Sequence, residues 1–132
     1  EIYTLSLHDA LPISQLDVLV LTSISEAQPI VILEAGACGL PVVATNVGAC
    51  AELLYGGLPD DRLLGASGVI TSICNPEETA QAVIRILQNR ELSKQMGSIA
   101  KNRISRYYQM DDMIANYQTL YTQYGEKMQW RV

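Results

Sequence analysis

Apolar runs alternate with turn-forming residues along the middle of the chain and predict short strands and helices in alternation. Strands are predicted over Asp17–Thr22, Pro41–Thr45 and Gly68–Thr71, because short apolar runs are typical of strands buried on both faces of a parallel sheet. A helix is predicted over Pro29–Cys38, since proline suits the first helical position and Gly39 follows the last. This alternation predicts an α/β fold with a partial Rossmann-like parallel sheet.

The second half of the chain has helical periodicity throughout. One helix begins at Pro76 after the cap residue Asn75, a second covers Glu91–Tyr107, and a third begins near Met110. The positions predicted to be buried on the first two are Ala80, Val83, Ile84, Leu87, Leu92, Met96, Ile99 and Ile104. The third carries a stripe of Met113, Tyr117, Leu120, Tyr121 and Tyr124, which is more typical of a core or domain-packing surface than of a ligand site.

The sequence pattern between the second and third predicted strands indicates little regular secondary structure. A brief helical turn is predicted over Glu52–Leu54 and a loop over Tyr55–Asp61. The adjacent carboxylates Asp60 and Asp61 resemble an Asp-x-Asp metal site only loosely. Because glycine and proline surround them, turn chemistry explains them better, and no metal site is predicted.

Composition narrows the class of protein. At 132 residues the chain is one domain or less, and three strands are too few for a whole doubly wound domain. A net charge of −5 with scattered basic residues argues against a nucleic-acid partner. No apolar run approaches the roughly 20 residues that span a bilayer. The three cysteines lack metal-ligand spacing and are interpreted as small buried thiols in a reducing cytosol.

Glu34 is the only charged residue within the apolar segment Ile30–Cys38. A carboxylate on a helix that is apolar all round should be partly buried, and an unpaired buried charge is costly. We therefore expect Glu34 to have hydrogen-bond donors from another part of the fold or from a ligand, such as the vicinal diol of a ribose. A Glu34 side chain facing bulk water would count against this interpretation.

Glu26 lies in the loop that leaves the carboxyl end of the first predicted strand, where ligands bind in open parallel sheets. The helix that follows at Pro29 offers free backbone N–H groups and a positive dipole end, which suit a diphosphate. The structural alternative is a turn glutamate together with a glutamate paired in the core. Residue spacing alone leaves both interpretations open.

The segment Glu26–Glu34 resembles the E-x7-E motif of retaining GT-B glycosyltransferases, in particular glycosyltransferase family 4. The flanking segments Asp17–Ser23 and Ala35–Thr45 are also similar to that family, and the resemblance extends from Leu16 to about Tyr124. Within the family, the chain is most similar to the cytosolic glycosyltransferases of the Pel exopolysaccharide system. The segments that carry this finer resemblance are Ser23–Pro29, Val47–Cys50 and Arg106–Tyr108.

The resemblance implies a role for each site residue. Glu34 would hold the ribose hydroxyls of a nucleotide-diphosphate sugar, and Glu26 would contact the donor sugar near the reacting carbon. The residues whose backbone amides would face the sugar and diphosphate are Ala27, Gln28, Ile30 and Val31. The family usually has glycine at the positions of Ala27 and Ala49. It needs no metal or other cofactor, since an upstream Arg and Lys neutralise the departing diphosphate.

The first residues are expected to be non-native. Glu1–Ile13 agrees residue for residue with the conceptual translation of a short-read sequencing adapter, and residue 14 completes the junction. On this interpretation His8, the only histidine, has no evolved role. Residues 15–132 are then the truncated C-terminal nucleotide-sugar-binding domain, without the upstream basic pair and the acceptor-binding N-terminal domain.

The sequence thus predicts a cytoplasmic fragment of a retaining enzyme that transfers a hexose from a UDP-sugar, such as UDP-glucose, to a growing exopolysaccharide. The isolated fragment is expected to be inactive. The partners implied are the UDP-sugar donor, a polysaccharide acceptor held by the N-terminal domain, and a membrane-bound polysaccharide synthesis complex at the inner membrane. The alternative is a non-catalytic Rossmann-like binding or partner-interaction module. A dinucleotide-binding dehydrogenase is disfavoured because no G-x-G-x-x-G follows a strand.

Overall fold

The computed structural model describes residues 11–128 of the chain. The elements are, in chain order, α1 (Leu11–Ser14), β1 (Leu19–Leu21), α2 (Ile30–Cys38), β2 (Val42–Thr45), α3 (Cys50–Tyr55), α4 (Pro59–Arg62), β3 (Gly68–Thr71), α5 (Pro76–Gln88), α6 (Arg90–Tyr107) and α7 (Met110–Met128). His8 and most of the segment that is predicted to be adapter-derived lie outside the described residues.

The three strands form one parallel sheet in the order β1-β2-β3. The register pairs Leu19 with Val42 and Val42 with Gly68. On the outer edge of β3, the N–H of Ile70 donates to the Tyr55 hydroxyl at 2.9 Å. The predicted α/β class with a partial Rossmann-like parallel sheet and C-terminal helices is confirmed.

The central strand β2 is buried along its whole length and supplies both layers of the core. Its side chains alternate between the two faces of the sheet, as strand geometry requires. Val42 and Ala44 join a cluster with residues of α2 and α3, whereas Val43 joins a cluster with residues of α5 and α6. Helices therefore cover both faces of the sheet, and the strands can be almost wholly apolar.

Several predicted boundaries differ from those observed. The first strand is shorter than predicted and covers only Leu19–Leu21. Pro29 caps α2 with an extended backbone instead of forming its first turn, while Gly39 ends the helix in the left-handed conformation at φ 74° as expected. The predicted loop Tyr55–Asp61 is wrong in its second half, because proline at a first helical position starts α4 there.

The buried face of α5 was predicted incorrectly except at Val83, which is partly buried against the core. Ile84 and Leu87 are 50% and 54% exposed and Ala80 is also exposed, whereas Ala82 and Ile86 are buried against Val43. The α5 sequence offers two apolar stripes, and packing against the sheet and α6 buries the one that contains Ala82 and Ile86. Only the tertiary arrangement makes that choice.

The predictions for the last two helices are confirmed only in part. In α6 Met96 is buried, while Leu92, Ile99 and Ile104 are partly buried. The stripe of α7 does not belong to the core of the described residues, because Met113, Tyr117, Leu120, Tyr121 and Tyr124 are all exposed. The rings of Tyr117 and Tyr121 stack on each other with centroids 6.3 Å apart. A domain-packing role for this stripe stays a prediction.

A fully buried arginine joins α6 to the segment that follows α3. Arg103 is 0% exposed, and its Nε donates to Asp61 Oδ1 at 2.6 Å. Its terminal nitrogens donate to the carbonyl oxygens of Leu54 at 2.8 Å, Gly65 at 2.8 Å and Asp61 at 3.2 Å, and to the Ser67 hydroxyl at 3.0 Å. Because the guanidinium has only donors, this set of acceptors satisfies it without water. Asp61 is therefore a structural ion-pair partner, which the sequence pattern did not indicate.

The start of α5 has a cap that depends on pH. Asn75 Oδ1 accepts from the N–H of Glu78 at 3.1 Å, and Glu78 Oε2 accepts from the N–H of Ser72 at 2.8 Å. The backbone hydrogen bond from Ser72 lowers the pKa of Glu78 below its ordinary 4.5, because it favours the charged form. A lowered folded-state pKa adds stability above the unfolded-state pKa, and that stability is lost as the pH falls through the folded-state value.

We expect Glu78→Gln to destabilise the chain at neutral pH and to reduce the fall in its free energy of unfolding as the pH drops below 4.5. Urea unfolding at a series of pH values, followed by circular dichroism, measures this. Glu77→Gln is the matched control, since the exposed Glu77 side chain has no hydrogen bond within the described residues. Parallel pH curves for wild type and Glu78→Gln would contradict the expectation.

Candidate functional site

The loops that follow the three parallel strands meet at the carboxyl edge of the sheet, and hydrogen bonds tie them together. Thr45, at the end of β2, donates through its hydroxyl to the carbonyl of Ser23 in the loop after β1. The N–H of Asn46 donates to the carbonyl of Thr71 at 2.9 Å. In parallel sheets this edge is where ligands bind. The loops at the carboxyl edge of the sheet are therefore joined by hydrogen bonds, at the edge where a ligand site is expected.

Glu26 lies in the loop after β1 and is half-buried. Its Oε1 accepts a hydrogen bond from the Ser23 hydroxyl at 2.7 Å. Glu26 was predicted as a site residue from the sequence, whereas no role was predicted for Ser23. A serine three residues before a glutamate in a tight loop is the signal that could have found this contact, because short hydroxyl side chains close such turns.

The main chain around Glu26 is held from the other side by the loop after β2. The N–H of Ala49 donates to the carbonyl of Ala27 at 2.8 Å. Gly48 has φ +49°, and a Cβ there would lie 2.2 Å from the carbonyl oxygen of Glu26 and 2.6 Å from that of Ala27. Only glycine permits both this conformation and this approach. The two loops therefore pack backbone to backbone.

The N-terminus of α2 follows directly after this contact. Pro29 gives no side-chain cap, and within the described part of the chain the N–H groups of Ile30 and Val31 have no hydrogen-bond acceptor. Of the residues predicted to face the donor, Ala27, Gln28 and Ile30 are exposed and Val31 is half-buried. The first turn of α2 thus presents free donors and the positive end of the helix dipole to solvent.

The prediction that Glu34 is partly buried is wrong, because its side chain is exposed. The α2 helix turns Ile32, Ala35 and Gly36 towards the core, which leaves position 34 on the opposite face. Within the described residues no hydrogen bond or ion pair engages its carboxylate. The argument that a buried Glu34 needs a ligand therefore fails. Any role of Glu34 in ligand binding has to be argued from its position on the helix.

That position relates Glu34 to the free amides. Glu34 is four residues after Ile30, so the two share a helix face and are separated by about 6 Å along the axis. Side chains on a helix lean towards its N-terminus, which brings the carboxylate back towards the amides. The half-buried Glu26 precedes the α2 N-terminus in the chain, and the exposed Glu34 lies about one turn beyond it on α2.

Other candidate groups have structural explanations or no defined role. Among residues 11–128 no group of three or more potential metal ligands occurs, and Asp61 is engaged by Arg103. The prediction of buried thiols holds only for Cys50, since Cys38 and Cys74 are exposed. Burial raises the pKa of the Cys50 thiol, with a further contribution from the nearby charge of Glu26.

The family model described as "Glycosyl transferases group 1" matches residues 9–103, which include every candidate site residue. The chain belongs to this family. The match begins inside the segment Glu1–Ile13 and ends before α7. The carboxyl-edge loops thus lie in the part that defines family membership.

Curated relatives agree with this membership. The chain is 29% identical over 105 residues to N-acetyl-alpha-D-glucosaminyl L-malate synthase of Bacillus anthracis, covering 80% of this chain and 26% of that protein. It is 36% identical over 90 residues to D-inositol 3-phosphate glycosyltransferase of Streptomyces bingchenggensis, covering 68% of this chain and 18% of that one. The chain therefore spans about a quarter or less of the length of these relatives.

Solved structures share the fold at lower identity. Sucrose-phosphate synthase from Thermosynechococcus elongatus superposes with a TM-score of 0.77 at 24% identity, over 91% of this chain and 28% of that one. Anabaena Alr3699/HepE, solved in complex with UDP, superposes with a TM-score of 0.66 at 24% identity, over 82% of this chain and 29% of that one. The expected similarity of the fold to part of a GT-B glycosyltransferase is confirmed. No helix among the described residues has the length and hydropathy to cross a bilayer.

Proposed function

We propose that this chain is the nucleotide-sugar-binding part of a longer retaining glycosyltransferase. The longer enzyme transfers a hexose from a UDP-sugar such as UDP-glucose to a growing exopolysaccharide, as the similarity to the Pel system implies. The observation that carries the proposal is the uncapped N-terminus of α2 with free amides, preceded by Glu26 and followed one turn later by Glu34, within a domain of the group 1 glycosyltransferase family.

The order of these groups along the chain matches the order of groups in a nucleotide-diphosphate sugar. The amides of Ala27, Gln28, Ile30 and Val31 would bind the diphosphate and the sugar, since a helix N-terminus attracts anions. One turn further along, the free carboxylate of Glu34 would accept hydrogen bonds from both ribose hydroxyls. On the other side of the amides, Glu26 would contact the sugar near its reacting carbon. The exposure of Glu34 counts against the argument from burial, so the proposal for this residue rests on the family motif and on its position in α2.

Catalysis in the longer enzyme would depend on stabilising the departing diphosphate. The α2 amides supply part of this stabilisation because they are preorganised and need not reorient as charge develops. An upstream Arg and Lys of the same domain would supply the rest, and we propose that no metal ion takes part. The acceptor polysaccharide would bind to an N-terminal domain.

The remaining assignments follow from the resemblances to the family and to the sequencing adapter. We propose that residues 15–132 are a truncated part of the donor-binding domain and that residues 1–14 are adapter-derived. The longer enzyme would work in the cytoplasm, peripheral to the inner membrane through a membrane-bound polysaccharide synthesis complex. The net charge of −5, or −3 without Glu1 and Asp9 (−5 plus 2), supports the absence of a nucleic-acid partner.

Calorimetric titration with UDP tests the donor assignment. We expect the 132-residue chain to bind UDP weakly and Glu34→Gln to reduce the affinity about tenfold or more, because hydrogen bonds to a charged group contribute about 1.5–3 kcal/mol. Glu91→Gln is the matched control, since Glu91 is an exposed glutamate in the first turn of α6. Equal affinities for wild type and Glu34→Gln would favour the alternative of a non-catalytic module. Turnover of UDP-glucose by the isolated chain would contradict the proposed division between two domains.

A further inference from the structure

The carboxylate of Glu26 has one engaged oxygen and one free oxygen. The Ser23 hydroxyl donates to Oε1 at 2.7 Å, while Oε2 has no hydrogen bond within the described part of the chain. The contact restricts the rotation of the carboxylate, because turning it away would break the hydrogen bond to Ser23. The free oxygen is then presented in a defined direction at the carboxyl edge of the sheet.

The donor hydroxyl is itself attached to the sheet. The carbonyl of Ser23 accepts from the hydroxyl of Thr45, which is 3% exposed at the end of the central strand β2. The same hydroxyl also lies 3.5 Å from the carbonyl of Leu21 at the end of β1. The main chain of Ser23 is therefore attached through Thr45 to the end of the buried strand β2.

The main chain of Glu26 is fixed independently by the Gly48 contact. With the backbone held, the freedom that remains to Glu26 is rotation of its long side chain. Ordering a glutamate side chain costs up to about 1.5–2 kcal/mol in rotamer entropy. A hydroxyl that holds the carboxylate before the ligand arrives removes part of that cost from binding.

We propose that Ser23 is a positioning residue for Glu26, holding Oε1 so that Oε2 faces the hexose of the bound donor. The inference rests on the proposed function, because it assigns a task within the same donor site. The proposal predicts different effects of Ser23 on the binding of UDP-glucose and of UDP. Ser23 should affect the affinity for a nucleotide that carries a sugar and should not affect the affinity for UDP alone, whose contacts are with α2 and Glu34.

The test compares Ser23→Ala, Ser23→Thr and the control Ser25→Ala in the 132-residue chain. Ser25 is exposed in the same loop and has no hydrogen bond among the described residues. For each variant, carbon-13 NMR records the side-chain carboxyl resonance of Glu26, and calorimetry measures binding of UDP and of UDP-glucose. Circular dichroism checks that each variant is folded.

We expect Ser23→Ala to shift the Glu26 carboxyl resonance and to weaken UDP-glucose binding about threefold to tenfold, with UDP binding unchanged. Ser23→Thr retains the hydroxyl and should restore both properties, and Ser25→Ala should match the wild type. An unchanged resonance in Ser23→Ala, or an equal loss of affinity for UDP and UDP-glucose, would overturn the positioning role and leave the donor site intact. If the wild type binds neither ligand, the proposed function itself fails and the inference with it.

Discussion

Replacing Arg103 with methionine is expected to lower the free energy of unfolding by about 3–5 kcal/mol, because it leaves the buried carboxylate of Asp61 without its cation. The loss is large compared with the about 5–15 kcal/mol that stabilises a typical domain. Asp61 is 1% exposed and cannot regain water in the folded state. Three main-chain carbonyls and the Ser67 hydroxyl lose a donor at the same time. Urea unfolding followed by circular dichroism measures the change.

Two further variants separate the buried pair from general effects on α6. Arg106→Met changes an exposed arginine on the same helix and should alter the free energy of unfolding by less than about 0.5 kcal/mol. The double variant Arg103→Met with Asp61→Leu should recover part of the loss, because no charge then remains buried. A cost below about 1 kcal/mol for Arg103→Met would mean that the ion pair is not buried in solution.

Replacing Gly48 with alanine is expected to disrupt the donor site and to destabilise the fold. The left-handed conformation at φ +49° alone costs a non-glycine residue about 1–2 kcal/mol. The added Cβ would also lie 2.2 Å from the carbonyl oxygen of Glu26, which is a backbone atom and cannot rotate away. The loop that carries Glu26 must then move, so UDP-glucose binding should fall below detection by calorimetry.

Gly125→Ala is the matched control for this substitution. A Cβ at Gly125 in α7 meets nothing within 4 Å, and alanine is the better helix former by about 1 kcal/mol. The control should therefore leave binding unchanged and slightly raise the free energy of unfolding. Wild-type affinity for UDP-glucose in Gly48→Ala would contradict the packing of the two loops.

The positions of Glu26 and Glu34 differ in how well the sequence alone could predict them. Glu26 follows an apolar strand, and its location at the carboxyl edge could be predicted because parallel strands all end on one edge. The environment of Glu34 could not be predicted in the same way. An apolar helix suggested burial on every face, whereas α2 buries only the face of Ile32, Ala35 and Gly36. Which face of a helix is buried depends on the elements that pack against it, and these elements are distant in the sequence.

The sequence by itself determined the alternation of strands and helices, the helix limits near Gly39 and Asn75, and the E-x7-E motif, because these signals depend on residues close together in the chain. Tertiary structure alone decided which stripe of α5 is buried, that Gly48 supports Glu26, and that Arg103 pairs with Asp61 across 42 positions. Such contacts join residues whose local sequence carries no sign of the partner. They form only when packing of the whole sheet and its helices brings distant segments together.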